Sequence, residues 1–191
     1  MSESPFVVGI AGSLSEQSST RLALGHALDA AAEAGASVEL VDLRDWDLPL
    51  FDPDQRDRGD AVALRNLVAE ADAVILATPV YHGMVSSALK NAFDYLGKDE
   101  FRGTVVGLLA TAGGGSYAST LAHLRTGIRT VRGWTLPHEV GIRRASDQFD
   151  TNGDFIDQEL ARRVTKLGRL TAQHAESGSL IIDTNRADAT E

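Results

Sequence analysis

The stretch Ala73-Val74-Ile75-Leu76-Ala77-Thr78-Pro79-Val80-Tyr81-His82-Gly83 decides the fold. Its first six residues carry no charge and are too few for a core helix, so they read as a strand buried on both faces. Pro79 ends the run, because the residue before a proline is held extended. Two similar runs lie on either side in the chain: Phe6-Val7-Val8-Gly9-Ile10-Ala11, stopping at Gly12, and Thr104 to Ala110, stopping in Thr111-Ala112-Gly113-Gly114-Gly115. Helical segments separate them. Ser18 to Ala34 repeats Leu24, Ala27, Leu28 and Ala31 at helical spacing and has Gly35 where a C-terminal cap belongs. Ala61 to Ala71, Ser87 to Leu96, Ser116 to about Arg132 and Asp154 to His174 read as further helices. The alternating Val38 to Leu43 suits a sheet edge, and a weaker strand is expected from Glu139 to Ile142. Strands alternating strictly with helices define an α/β fold: a doubly wound, five-stranded parallel sheet with helices on both faces. One domain is expected over residues 1–176. A polar tail over 177–191 follows, in which Leu180-Ile181-Ile182 keeps a contact with a partner subunit open.

Bulk composition narrows the function. In 191 residues, 43% are hydrophobic, enough for one sizeable core. The formal charge of −9 argues against nucleic acid, which needs clustered Lys and Arg to displace counterions. The chain has no cysteine, so disulfides, thiolate catalysis and cysteinyl metal centres are excluded, and no metal site is expected. Met1-Ser2-Glu3-Ser4-Pro5 lacks the basic and apolar regions of a signal peptide, and no segment has the apolar length to span a bilayer. A cytoplasmic protein without a membrane partner is the simplest expectation.

In an open parallel sheet, ligands collect beyond the carboxyl ends of the strands where strand order reverses. The turns after the first, third and fourth strands are the unusual ones here. Gly12-Ser13-Leu14-Ser15-Glu16-Gln17-Ser18-Ser19-Thr20 joins a buried strand to a helix N-terminus and carries five hydroxyls. Free N–H groups, the helix dipole and hydroxyl donors suit an anion there. A capping role explains one or two of those hydroxyls, not five. The loop is no Walker A, since no Gly-Lys-Ser/Thr follows, and it lacks the dinucleotide glycine fingerprint. Thr78 to Ser86 sets an aromatic, an imidazole and a glycine at the end of a central strand, a wall for a flat ring with Tyr81 on or beside it. For His82 a solvated loop position is an equal reading. Thr111 to Ser116 holds three glycines, which let main chain approach a ligand closely, although such runs also occur as plain turns. The coincidence of all three at one crevice fits a phosphorylated planar cofactor.

At these residues the chain resembles the NAD(P)H-dependent FMN reductase family, flavodoxin-like proteins that include quinone, azo-dye and chromate reductases. The resemblance covers roughly 7–142. It rests on Gly12-Ser13 with Ser18, on Thr78-Pro79-Val80-Tyr81-His82-Gly83 with Leu89-Lys90-Asn91 and Asp94-Tyr95-Leu96, and on Thr111-Ala112-Gly113-Gly114-Gly115. It implies FMN as cofactor and NADPH or NADH as reductant. Ser13, Ser18 and Thr20, with Ser19 as a fourth, would hold the phosphate. Pro79, Val80, Tyr81, His82 and Gly83 would line the ribityl chain and ring, and Thr111, Gly113, Gly114 and Gly115 the pyrimidine edge. Members often carry Arg two residues after the first serine, where this chain has Ser15, so another cation such as Arg21 would have to serve. The resemblance also implies a homodimer or homotetramer with the flavin near a subunit interface.

With the redox chemistry resident in the flavin, the protein supplies position and polarity. Hydride transfer from nicotinamide and onward reduction of a small-molecule electron acceptor are expected, with no essential protein acid or base; Tyr81 and His82 are candidates for assisting protonation. The competing reading is a flavodoxin-type electron carrier that does not turn over nicotinamide. A phosphoacceptor receiver domain shares the winding but needs acidic residues where this chain has Gly12-Ser13.

Overall fold

Side chains of the first strand, β1 (Phe6–Ala11), alternate between two cores: Val7 and Ala11 face one, Val8 and Ile10 the other. That alternation recurs in β3 (Ala73–Pro79) and β4 (Val105–Thr111), both buried along their whole length. The computed structural model describes residues 4–187, with side chains through residue 175. Helices α1 (Ser19–Glu33) and α6 (Gln158–Ala187) cover one face of the sheet. The other face is covered by α2 (Ala61–Glu70), α3 (Ser87–Tyr95), the short α4 (Lys98–Phe101) and α5 (Ala118–Thr130). Gly168 of α6 lies so close to α1 that a Cβ there would overlap the backbone of Ala27, so the crossing requires glycine.

With β2 (Ser37–Asp42), β5 (Trp134–Thr135) and β6 (Val140–Ile142), all the named strands pair in parallel. The order is β2-β1-β3-β4, with β5 and β6 both beside β4. Strand order therefore reverses between β1 and β3, the crevice where ligands of this architecture bind. The expected edge position of β2 holds: four of its six residues are exposed.

Three departures from the sequence reading are local. The fifth strand position is divided into β5 and β6: the ladder to β4 lapses after Leu136 N donates to Val106 O and pairing resumes at Val140. Helix α4 was not expected; Gly97 N donates to Glu100 Oε2 at 2.6 Å and starts it. The last helix runs on from His174 to Ala187, since no proline lies beyond 137 to stop it. Leu180-Ile181-Ile182 falls on that continuation, and its side chains lie outside the described residues.

Candidate functional site

The three turns singled out above are brought side by side by one device. Each strand end extends the parallel ladder by one bond before the chain diverges: Gly12 N donates to Ala77 O at 2.8 Å, Val80 N to Thr111 O at 2.8 Å and Ala112 N to Ile142 O at 2.7 Å. The turns after β1, β3, β4 and β6 thus leave the sheet as neighbours at its carboxyl edge.

The turn after β1 is the most firmly held. Ser86 Oγ donates to Gly12 O at 2.6 Å and also accepts from Leu89 N, so one hydroxyl both caps α3 and ties this turn to the next. A Cβ at Gly12 would lie 2.7 Å from Leu89 Cβ and 2.9 Å from Ser86 Oγ. Ser18 caps α1, its Oγ accepting from Arg21 N at 3.0 Å, and Ser13 Oγ accepts from Ser15 N at 3.4 Å. Both hydroxyls act as acceptors inside the protein, so each keeps its own proton to donate. Ser13, Ser18 and Thr20 are buried, and Ser19 is half-buried. The N–H groups of Leu14, Glu16, Gln17, Ser18, Ser19 and Thr20 meet no protein acceptor among the described residues. These uncommitted N–H groups and hydroxyl protons make the loop rich in free donors.

Thr20 has a second attachment. Its Oγ1 lies 2.6 Å from Thr111 Oγ1, both hydroxyls buried, joining α1 to the end of β4. One proton of the pair is used between them and the other is left to donate outward. Arg21, the expected replacement cation, is committed elsewhere: Nη1 meets Asp42 Oδ2 at 2.8 Å and Nη2 donates to Glu16 O at 2.7 Å. Arg44 pairs with Glu16 at 2.9 Å. Both arginines near this turn are matched by carboxylates, so backbone and hydroxyl groups remain as its donors.

After β3, Tyr81 and Met84 exchange backbone hydrogen bonds around a two-residue turn, with His82 at φ 53° and Gly83 at φ 75°. Both central residues are left-handed, the geometry of a type I′ hairpin. Pro79 is buried, Val80 half-buried, and Tyr81 stands 55% exposed at the turn's root. His82 is exposed on the tip, as in the solvated reading. Ser119 Oγ donates to Gly83 O at 2.8 Å and ties the hairpin to α5.

The glycine turn is open. Gly113, Gly114 and Gly115 are exposed, none has positive φ, and a Cβ on any of them would meet nothing within 4 Å. Neither backbone strain nor internal packing demands glycine there, and the main chain of this turn is open to close approach from outside. Their N–H groups have no acceptor among the described residues.

Sequence reasoning missed the fasteners. Ser86 and Thr78, whose Oγ1 accepts from Ser86 N at 3.0 Å, lock the first two turns together. Asn91 and Tyr95, within the motif that carries the resemblance, fix the acidic loop instead: Asn91 Nδ2 donates to Leu48 O and Pro49 O, and Tyr95 Oη donates to Pro49 O at 2.9 Å. An asparagine on the apolar side of a helix was the available signal.

Fold and turns together describe a flavodoxin-like protein with a donor-rich loop, a tight hairpin and an open glycine turn side by side at the carboxyl edge of its sheet. A model of the NADPH-dependent FMN reductase family matches residues 5–147, and the chain belongs to that family. A 79-residue stretch is 49% identical to the NADPH azoreductase of Bacillus sp. (strain OY1-2), covering 40% of this chain and 44% of that protein. Another, of 92 residues, is 35% identical to the FMN-dependent NADPH-azoreductase of Staphylococcus aureus, covering 48% and 49%. The alignments thus span about half the length of these curated relatives. Among solved structures, FerB, a flavoenzyme NAD(P)H:(acceptor) oxidoreductase from Paracoccus denitrificans, superposes with a TM-score of 0.75 at 20% identity over 91% of this chain and 98% of its own. The apo form of the NADH:FMN oxidoreductase EMOB gives 0.73 at 20% identity, covering 88% and 89%. At that identity the superpositions speak for the fold.

Proposed function

We propose that the protein is an NAD(P)H-dependent FMN oxidoreductase, carrying hydride from a nicotinamide to FMN and on to a small-molecule acceptor such as a quinone, an azo compound or free flavin. The observation that carries this reading is the set of uncommitted donors at the carboxyl edge: loop N–H groups and hydroxyl protons after β1, and free N–H groups on an unobstructed glycine run after β4. Those donors fit a phosphate monoester and the polar rim of a flat heterocycle, respectively.

Bound FMN supplies the hydride-accepting chemistry; the protein's task is to hold and polarise it. Ser13, Ser18 and Ser19, with the Thr20–Thr111 pair and the N–H groups beside them, would hold the phosphate. Pro79, Val80, Tyr81, His82 and Gly83 would line the ribityl chain and one side of the ring. The N–H groups of Gly113, Gly114 and Gly115 would donate to the ring's polar rim and favour added negative charge there. No protein acid or base is needed, and ping-pong kinetics follow. The carrier alternative is not favoured, because the matching family and the relatives matched in sequence are named as nicotinamide-dependent reductases.

A homodimer or homotetramer is part of the proposal. Between α3 and α5 an apolar cavity of about 170 Å³ is lined by Leu76, Met84, Val85, Leu89, Phe93 and Leu124, and Met84 stands 49% exposed beside it. A second subunit on this groove would bury that surface next to the Tyr81–Met84 hairpin; light scattering after gel filtration tests it. Among the described residues no helix is long and apolar enough to cross a membrane. We place the protein in the cytoplasm, where its reductant is made.

Anaerobic mixing of the FMN-loaded protein with NADPH or NADH tests the function. Bleaching of the yellow flavin absorbance within seconds, followed by recovery on adding a quinone or azo dye, is expected. A flavin that stays oxidised with both nucleotides would leave only the carrier role.

A further inference from the structure

The arginines at the two ends of the crevice are treated differently. Beside the turn after β1, Arg21 and Arg44 are neutralised by Asp42 and Glu16. Beyond β6, Arg143 and Arg144 are both exposed, and neither has a carboxylate partner among the described residues. Other arginines also lack such a partner; what sets these two apart is that they are adjacent and tied to the glycine turn.

Their placement is built. Arg144 N donates to Gly113 O at 2.7 Å and Ala145 N to Ala112 O at 3.1 Å, so this segment is fastened to the glycine turn itself. The kink that allows both bonds holds Arg144 at φ 45° and ψ 52°, a left-handed conformation that Gly or Asn takes with less strain. Arg143 sits over the ring of Tyr117, its Cζ 5.8 Å from the ring centroid. Tyr117 in turn lies flush against Gly141, where a Cβ would overlap the ring. Backbone, phenol and guanidinium are therefore stacked in three layers, leaving the guanidinium N–H groups to meet a ligand.

The stack walls a cavity of about 300 Å³, also lined by Gln148 and Arg163. Two carboxylates share it. Asp157 is engaged in capping α6, its Oδ1 accepting from Glu159 N and Leu160 N, and Glu159 is the second carboxylate of the lining. Two arginines, Arg143 and Arg163, face these two carboxylates, one of which is committed to the helix cap, and Arg144 follows Arg143 in the chain.

Resting on the reductase reading above, we propose that Arg143 and Arg144 bind the phosphate-bearing adenosine half of the nicotinamide reductant and select NADPH over NADH. A 2′-phosphate adds about −1.5 to −2 charge and three strong acceptor oxygens. The guanidinium fork matches such a group with paired N–H···O bonds, and a ribose hydroxyl offers no equivalent. One ligand spanning both would set its nicotinamide end toward the flavin and its adenosine end beside Arg143, whose segment is tied to the glycine turn.

The test uses the FMN-loaded protein and two variants, Arg143→Gln and Arg144→Gly, alone and combined; the glycine suits the left-handed backbone at 144, so folding is preserved. Calorimetric titration with adenosine 2′,5′-bisphosphate should show binding to the parent protein and a loss of about tenfold or more in the double variant, with titration by 5′-AMP much less affected. The NADPH-to-NADH ratio of kcat/KM should fall by about the same factor, and FMN content should stay that of the parent. Equal losses with both nucleotides, an unchanged ratio, or a parent protein that does not bind the bisphosphate would overturn the assignment. A protein that holds no FMN and oxidises neither nucleotide would instead overturn the reductase reading, which is thereby separable from this one.

Discussion

The turns after β1 and β4 leave the same edge of the sheet, yet they are built in opposite ways. The first is wedged: Gly12 has no room for a methyl group, Ser86 clamps its carbonyl, and its serine hydroxyls already accept hydrogen bonds within the protein. The second is unconfined, three exposed glycines with nothing within 4 Å of where their Cβ atoms would be. The contrast follows from what each would hold. Phosphate is a compact charge whose donors must converge on fixed points, so their positions are set before binding. The rim of a planar ring needs only a row of N–H groups that can come close, so absent side chains matter more than rigidity.

The largest effect is expected where the structure is tightest. Gly12→Ala should lower stability by about 2–3 kcal/mol, because the new methyl must displace Leu89 Cβ or Ser86 Oγ. Urea unfolding measures it, and a loss near zero would mean the wedge relaxes freely. Ser18→Ala comes next. It removes the α1 cap, worth about 1 kcal/mol, and should weaken FMN binding by about tenfold through the lost donor. Flavin fluorescence titration checks the second part; unchanged affinity would reduce Ser18 to a cap. Gly114→Ala inverts the pattern, changing stability by less than about 0.5 kcal/mol because nothing is crowded, yet weakening FMN binding. If both quantities stay put, the glycine run is a plain turn and the contrast drawn here fails.

The same division separates what was legible in the sequence from what was not. Uninterrupted apolar runs announced β1, β3 and β4, since a strand buried on both faces leaves no polar position. The split of the outer strand was hidden, because Trp134-Thr135 is too short to show a period and its pairing depends on β4 beside it. At the site, residue types were readable but their commitments were not. Five hydroxyls in one loop signal an anion, yet that Thr20 shares its proton with Thr111, 91 positions away, is a property of the fold. Arg21 illustrates this best: its placement one step into α1 suggests a phosphate ligand, and only the neighbouring β2 end reveals Asp42 waiting for it. Arg143 and Arg144 went unnoticed for the converse reason. They follow the weakest strand, and their interest lies in a backbone bond to the glycine turn and a stack on Tyr117 that only the fold creates.

The smallest expected effect concerns His82, which belongs to the wall between the two turns. Its φ of 53° costs about 1–2 kcal/mol for a residue bearing a Cβ. Replacement by glycine removes that strain but gives back about 0.5–1 kcal/mol through the freer unfolded chain. The two terms nearly cancel, so His82→Gly should change stability by under about 1 kcal/mol, in the stabilising direction. Turnover then decides the imidazole's part. A side chain kept at the exposed tip of a type I′ turn only by tolerance should be dispensable, and kcat at saturating FMN should fall by less than about threefold, whereas a positioned proton donor contributes about a hundredfold or more. A drop of that size, with stability unchanged, would make His82 a proton donor and turn the hairpin from a passive wall into part of the chemistry.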